Sequence, residues 1–317
     1  MNIPVFDLHC DTAFAMLGPE YNDACSLRKN ELCVDLERAA LLPGYVQCFA
    51  CFTSDGETLP LPLGPETVFT KELNAITEAI RQNRDKIAQA FTAGDVDNNL
   101  NEGKMSGILT IEGPAGFGYD PGMLDALYDL GFRITTLGWN EKNPLAGSHI
   151  TGGGLTPKGM DYVRRAQRLG MIVDVSHISD EAFWDIMNIT AAPVIASHSN
   201  SRTVWNVSRN LTDEMFAAIC LSGGVVGINL YAGFLGEQPD LKTVCDHILH
   251  FLSLDPDGKH IALGGDLDGC DRLPSGFSGV QDYPKLADCL LHCGVCEEIV
   301  KDIFWNNAMG VLKRCCI

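Results

Sequence analysis

Eight short runs of apolar and β-branched residues recur along the chain, at Val5–His9, Tyr45–Thr53, Gly107–Glu112, Phe132–Trp139, Met171–His177, Pro193–His198, Gly224–Tyr231 and His260–Asp266. They are apolar nearly throughout, the pattern of parallel strands covered on both faces. Parallel neighbours need crossovers, and helical patterns lie between the runs. The clearest spans Glu66–Phe91, where Phe69, Leu73, Ile76, Ile80, Ile87 and Phe91 recur near a 3.6-residue period. Thr156 and Pro157 supply an N-cap and a first-turn proline for a helix to about Leu169, which Gly170 ends. Thr212, followed by Asp213 and Glu214, starts another. Eight β/α repeats in 317 residues predict an α/β chain folded as one (β/α)8 TIM-type barrel, a single domain over 1–317. A doubly wound open sheet shares the local pattern, and strand count alone does not separate the two. The connection 12–44 reads as a partly helical cap beside the barrel mouth, and 284–317 as two closing helices.

A net charge of −18 lacks the electrostatic footprint of a nucleic-acid or anionic-membrane binder. No run approaches the roughly 18–20 apolar residues that span a bilayer. The start, Met1 to Asp7, lacks the basic-then-apolar pattern of a secretory leader, so a cytoplasmic location is expected. In that setting the thirteen cysteines read as reduced thiols. Cys48 and Cys51 sit three apart in a strand-like run, which puts them on opposite faces. Cys289, Cys293 and Cys296 have helical spacing that would allow a metal, and buried free thiols are the plainer reading.

The potential metal donors fall at the C-terminal ends of the runs. His9 and Asp11 close the first, Glu112 the third, His177 the fifth, His198 the sixth, and Asp266 with Asp268 the eighth. In a β/α barrel these ends converge on the face where active sites sit. His9 and Asp11 are two apart, so in extended chain both point into the barrel. Any one of these residues has an ordinary alternative, such as a buried hydrogen-bonded histidine or a solvated loop acid. Their common register is what points to a metal site. Imidazole with carboxylate suits zinc or a related divalent ion, and two pairs with a lone acid between them make a binuclear set bridged by Glu112. His149, His247, His250, His260 and His292 are assigned no role.

Six separated segments resemble the membrane dipeptidase family, peptidase family M19: Asp7–Asp11, Ile111–Gly113, Gly170–His177, Pro193–Ser199, Ser208–Asn210 and Gly264–Gly269. The resemblance runs from residue 3 into the C-terminal helices. It implies a barrel hydrolase with two zinc ions, one held by His9 and Asp11, the other by His177 and His198, with Glu112 shared. It implies that Asp266 handles protons at the attacking water, with Asp268 a second candidate, and that Arg209 pairs with the substrate carboxylate. One departure stands out: Trp139 occupies the place of a family histidine that contacts the substrate, and an indole N–H cannot become a cation.

The expected activity is zinc-dependent hydrolysis of dipeptides by water held between the metals, extending to a D-amino acid at the C-terminal position. The expected partner is a small dipeptide, with neither nucleic acid nor membrane, and a homodimer is allowed for. A binuclear hydrolase of N-acyl amino acids, lactones or cyclic amides is the first rival. A metal-stabilised binding protein without turnover is the second.

Overall fold

The apolar runs become strands, and the helical stretches between them cross over outside. The computed structural model describes residues 2–18, 25–55 and 63–316. Nine strands are described: β1 Val5–Cys10, β2 Tyr45–Phe52, β3 Ile87–Gln89, β4 Met105–Glu112, β5 Phe132–Thr136, β6 Ile172–Asp174, β7 Val194–Ile195, β8 Val226–Ile228 and β9 Ile261–Leu263. All named pairings are parallel, in the order β7-β6-β5-β4-β2-β1-β9-β8. The two ends of that order meet. Ala196, just after β7, bridges Val226 of β8, and the Gly227 amide donates to the Ala196 carbonyl at 2.8 Å. Eight strands therefore close a TIM-type barrel, and the open doubly wound sheet is excluded.

The ninth strand, β3, departs from the sequence reading. The helix expected over Glu66–Phe91 stops at Gln82, where the Asn83 side-chain amide donates to the Ala79 carbonyl at 2.8 Å. Ile87 then leaves the helical period and pairs with Met105. The cause lies in β4: β5 joins it only from Leu109 onward, so the edge of Met105–Gly107 is open, and β3 satisfies it.

The other capping signals behave as their chemistry demands. Thr156 accepts from the Gly159 amide at 3.0 Å to start Pro157–Leu169, and Gly170 ends that helix at φ 87°. Thr212 caps Asp213–Ser222 by accepting from the Met215 amide. Within 12–44, one helical turn follows β1 and another spans Leu36–Ala39, while positions 19–24 of the expected cap lie outside the described residues. The C-terminal stretch forms two helical arms. One is Tyr283–His292; the other runs from Glu297 through a π-helical turn at Asp302–Asn306 to Cys315.

Side-chain alternation splits the apolar residues into two clusters. Phe6, Leu8, Val46, Cys48, Ile108, Ile134, Ile172 and Ala262 share the inward parity of Glu112 and fill the barrel, with Ala308, Met309 and Leu312 packed onto them. Cys51, Leu109 and Ile111 belong to the larger layer between strands and helices. Cys48 and Cys51 thus face opposite sides of β2 and do not pair. Among the described residues no helix is long and apolar enough to cross a membrane.

Candidate active site

Strict alternation from Phe6 and Leu8 would turn His9 outward. A β-bulge prevents this: Asp7 aligns with Gln47, but Cys10 aligns with Phe49, so β1 carries one extra residue. Beyond it His9 faces the mouth. Asp7, fully buried below, accepts from the His9 amide at 3.1 Å and the Gly265 amide at 2.8 Å, and the Tyr283 hydroxyl donates to it. One carboxylate thereby ties β1 to the loop after β9 and to the first closing helix.

Glu112 ends β4 and stands between two groups of donors. Its Oε2 lies 3.4 Å from His9 Nε2, which is itself 3.4 Å from Asp11 Oδ2. Its Oε1 lies 3.0 Å from His177 Nε2 and 3.6 Å from His198 Nε2. Gly113 allows the chain to turn at once: its φ is 77°, and a Cβ there would meet the Thr53 carbonyl oxygen at 2.0 Å. His177 and His198 lie three residues beyond β6 and β7, past the regular strand ends.

The donor set fits divalent cations. His177 Nδ1 is 3.0 Å from Asn140 Oδ1 and His198 Nδ1 is 2.7 Å from Ser197 Oγ, so both rings turn Nε2 inward, only 2.9 Å apart. Such outer partners orient metal-binding imidazoles. His9 Nε2 and Asp11 Oδ1 are buried without a hydrogen-bond partner among the described residues. Leaving such groups unpaired costs about 1–3 kcal/mol each, a cost that a bound cation removes.

Electrostatics follow from the crowding. Burial and the neighbouring Glu112 push Asp11 up to about 8, against the pull of His9. Burial works against an imidazolium at His9, yet Glu112 and Asp11 outweigh it and hold its pKa well above the usual range. Burial, then Arg209, lowers His177 to about 3, so the ring is neutral, the form that binds metal.

Asp266 reaches the same cluster from the loop after β9. Its Oδ1 is 3.8 Å from His9 Nε2, its Oδ2 accepts from Asn229 Nδ2 at 2.9 Å, and its amide donates to the His9 carbonyl at 3.1 Å. Asp268 is placed differently. Its two oxygens accept from Thr12 Oγ1 at 2.7 Å and the Cys33 amide at 2.6 Å, which pins the segment after β1 to the loop after β9.

Above the donors opens a cavity of about 400 Å³. Phe14, Phe52, Trp139, Tyr231 and Phe234 form its aromatic side, and Asp11, Glu112, His177 and Asp266 its polar floor. Trp139 packs edge-on against Phe52, with ring centroids 5.1 Å apart. Arg209 occupies an adjoining crevice that shares His177. It is 4 % exposed, its guanidinium lies 5.5 Å from the Phe234 ring centroid, and Nη1 donates to Ser199 Oγ at 2.7 Å. Its Nε and Nη2 have no hydrogen-bond partner among the described residues.

Sequence reasoning missed the residues that hold the donors. Asn140 Oδ1 sits between His177 Nδ1 and His149 Nε2, at 3.0 and 2.9 Å, and His149 Nδ1 is 3.0 Å from Ser208 Oγ. Asp174 accepts from the Ser197 amide at 2.9 Å, and the Ser197 hydroxyl also donates to it. Asn229 left a signal, as a polar residue inside an otherwise apolar run. His149 left none, because an irregular loop brings it back to the mouth.

A closed parallel barrel with a His, Asp and Glu cluster that could hold metal at its C-terminal mouth defines the class, a TIM-type barrel with a candidate metal centre. The chain belongs to the membrane dipeptidase family (peptidase family M19), whose description matches residues 1–315. An uncharacterized dipeptidase of Schizosaccharomyces pombe is 35% identical over 228 residues, 70% of this chain and 56% of that protein. Dipeptidase tcpJ of Claviceps purpurea is 31% identical over 240 residues, 73% of this chain and 56% of that protein. The chain thus spans little more than half the length of these two relatives. A crystal structure of a Rhodobacter sphaeroides metallo peptidase, liganded with a phosphinate mimic of the dipeptide L-Ala-D-Ala, superposes with a TM-score of 0.88 at 26% identity, covering 99% of this chain and 100% of that one.

Proposed function

We propose that this chain is a dipeptidase that holds two zinc ions and cleaves dipeptides bearing a free C-terminal carboxylate. The observation that carries the reading is Arg209, a buried guanidinium with two unpartnered donors, beside a cluster of buried metal donors. A planar fork of this kind is built for a carboxylate.

In this reading His9 and Asp11 would hold one ion and His177 and His198 the other, with Glu112 shared between them. Bound there, the ions supply Lewis acidity toward a carbonyl and make water nucleophilic near neutral pH. Asp266 Oδ1, free of the Asn229 bond, takes the proton of the attacking water and returns it to the leaving amine. Asp268, with both oxygens committed to Thr12 and Cys33, is a tether rather than a second proton carrier. Arg209 fixes the leaving residue by its carboxylate. Trp139 adds an aromatic wall and a single N–H donor, with no cation. A cavity of about 400 Å³ falls within the roughly 300–1,000 Å³ of small-molecule sites. The L-Ala-D-Ala mimic on the Rhodobacter protein supports including a D residue at the C-terminal position.

Metal analysis combined with a substrate panel tests the proposal. Dipeptides with an L or a D residue at the C-terminal position should be cleaved, and dipeptide amides, which offer Arg209 no carboxylate, should be poor. Full activity in a metal-free sample, or a preference for N-acyl amino acids or lactones, would overturn it.

A further inference from the structure

Cys289 and Cys293 stand four residues apart, so they share one face at the end of the helix Tyr283–His292. That spacing alone carries nothing, because thiols pack well as small apolar groups. A third sulfur changes the reading. Cys245 comes from the helix Leu241–Leu254, which packs against the first, and the three Sγ atoms all lie within 4.8 Å of one another. Cys296, which continues the helical spacing in the sequence, is not among them.

The three sulfurs form a path from core to solvent: Cys245 is buried, Cys289 half-buried and Cys293 exposed. The cluster shares no residue with the barrel mouth. Burial, then the two neighbouring sulfurs, pushes the Cys245 thiol up, so it stays protonated until something displaces its proton.

We propose that Cys245, Cys289 and Cys293 form a second metal site, for a soft closed-shell cation such as Cu⁺, Zn²⁺ or Cd²⁺. Thiolate ligands select such ions over the hard cations that oxygen sites take. Binding releases the three thiol protons to solvent, leaving a divalent ion with one net negative charge and a monovalent ion with two. The exposed side of Cys293 leaves a fourth position open to water, and the bound ion joins the two helices.

Cadmium added to the metal-loaded protein is the probe, because sulfur coordination produces an ultraviolet charge-transfer band that oxygen and imidazole ligands do not. The band should saturate at one added cadmium per chain and vanish in both Cys289→Ser and Cys293→Ser. It should persist in Cys296→Ser. Cys293 is exposed, so its serine variant keeps the fold, as circular dichroism will confirm. Cadmium should raise the Tm of the parent but not of Cys293→Ser. No band, a band surviving in either cluster variant, or loss of the band in Cys296→Ser would overturn the proposal. A disulfide between two of the three cysteines in protein purified under reducing conditions would also overturn it.

Discussion

Replacing Arg209 with methionine removes the buried guanidinium but keeps an unbranched side chain over Phe234, where a thioether packs well. The bonds at stake set the size of the effect. Nη1 is spent on Ser199, while Nε and Nη2 are left for a substrate carboxylate. Hydrogen bonds to charged groups contribute about 1.5–3 kcal/mol, and two bonds to one carboxylate are not independent, so that range is taken for the fork as a unit. The expected loss is therefore about 10- to 150-fold in kcat/KM for a free dipeptide. The fold should survive, because the variant also removes two buried donors that had no partner.

Arg209 has a second influence that must be separated. Burial pushes the Asp266 carboxyl up, and Arg209, together with His9, pulls it down. Losing Arg209 would therefore disturb proton transfer for any substrate. The assay compares each dipeptide with its C-terminal amide, which offers Arg209 no carboxylate. A proton-transfer effect lowers both rates alike, so the ratio of the two isolates the grip on the carboxylate. The ratio should collapse in Arg209→Met and recover partly in Arg209→Lys, which supplies a point charge without the fork. Equal losses on both substrates would refute the assignment.

Four further outcomes are expected. Glu112→Gln should lower metal content at both positions, whereas His198→Ala should remove about one ion per chain, as elemental analysis will read. Asp266→Asn should retain its metals while kcat falls by about 10² to 10⁴, typical of a lost general acid–base group. Asn140→Ala, which frees the His177 ring, should weaken metal binding by about 10- to 100-fold in a chelator competition, with the fold intact. Gly269→Ala should cost metal despite its small size, since its Cβ would fall 2.0 Å from Asp11 Oδ2 and 2.6 Å from Asp266 Oδ1; normal metal content there would contradict the packing.

The barrel was legible because buried parallel strands are apolar on both faces, so each run announces itself and each must end at the same mouth. That geometry also made His9, Glu112, His177 and His198 visible as a set before any contact was known. What stayed hidden was local. The bulge in β1 has no compositional mark, yet without it His9 would face outward. The strand Ile87–Gln89 hid inside a helical period because Ile87 fits that period, and only the open edge of β4 decides against it. Cys245 could not be joined to Cys289 and Cys293 from spacing, since the partnership depends on how two distant helices pack.

The mouth solves one steric problem in two ways. After Glu112 the strand is regular to its last residue, and the turn is left to Gly113, which takes a positive φ freely. After β6 and β9 a polar residue takes the turn itself, with φ of 72° at His177, 55° at Asp266 and 69° at Asp268; His198, after β7, does not. For such residues this conformation costs on the order of 1–3 kcal/mol each, and glycine would avoid it. Glycine, however, brings no donor atom. The strain is held in place by bonds made on either side. The His149 amide donates to the His177 carbonyl at 2.8 Å, the Asp266 amide donates to His9, and Thr12 with Cys33 grips Asp268. These contacts come from the loop after β5, from β1 and from the connection 12–44, so each of these residues depends on segments distant in sequence. The side chains that set the mouth's geometry are therefore Asn140, His149, Asn229 and Thr12 as much as the donors themselves.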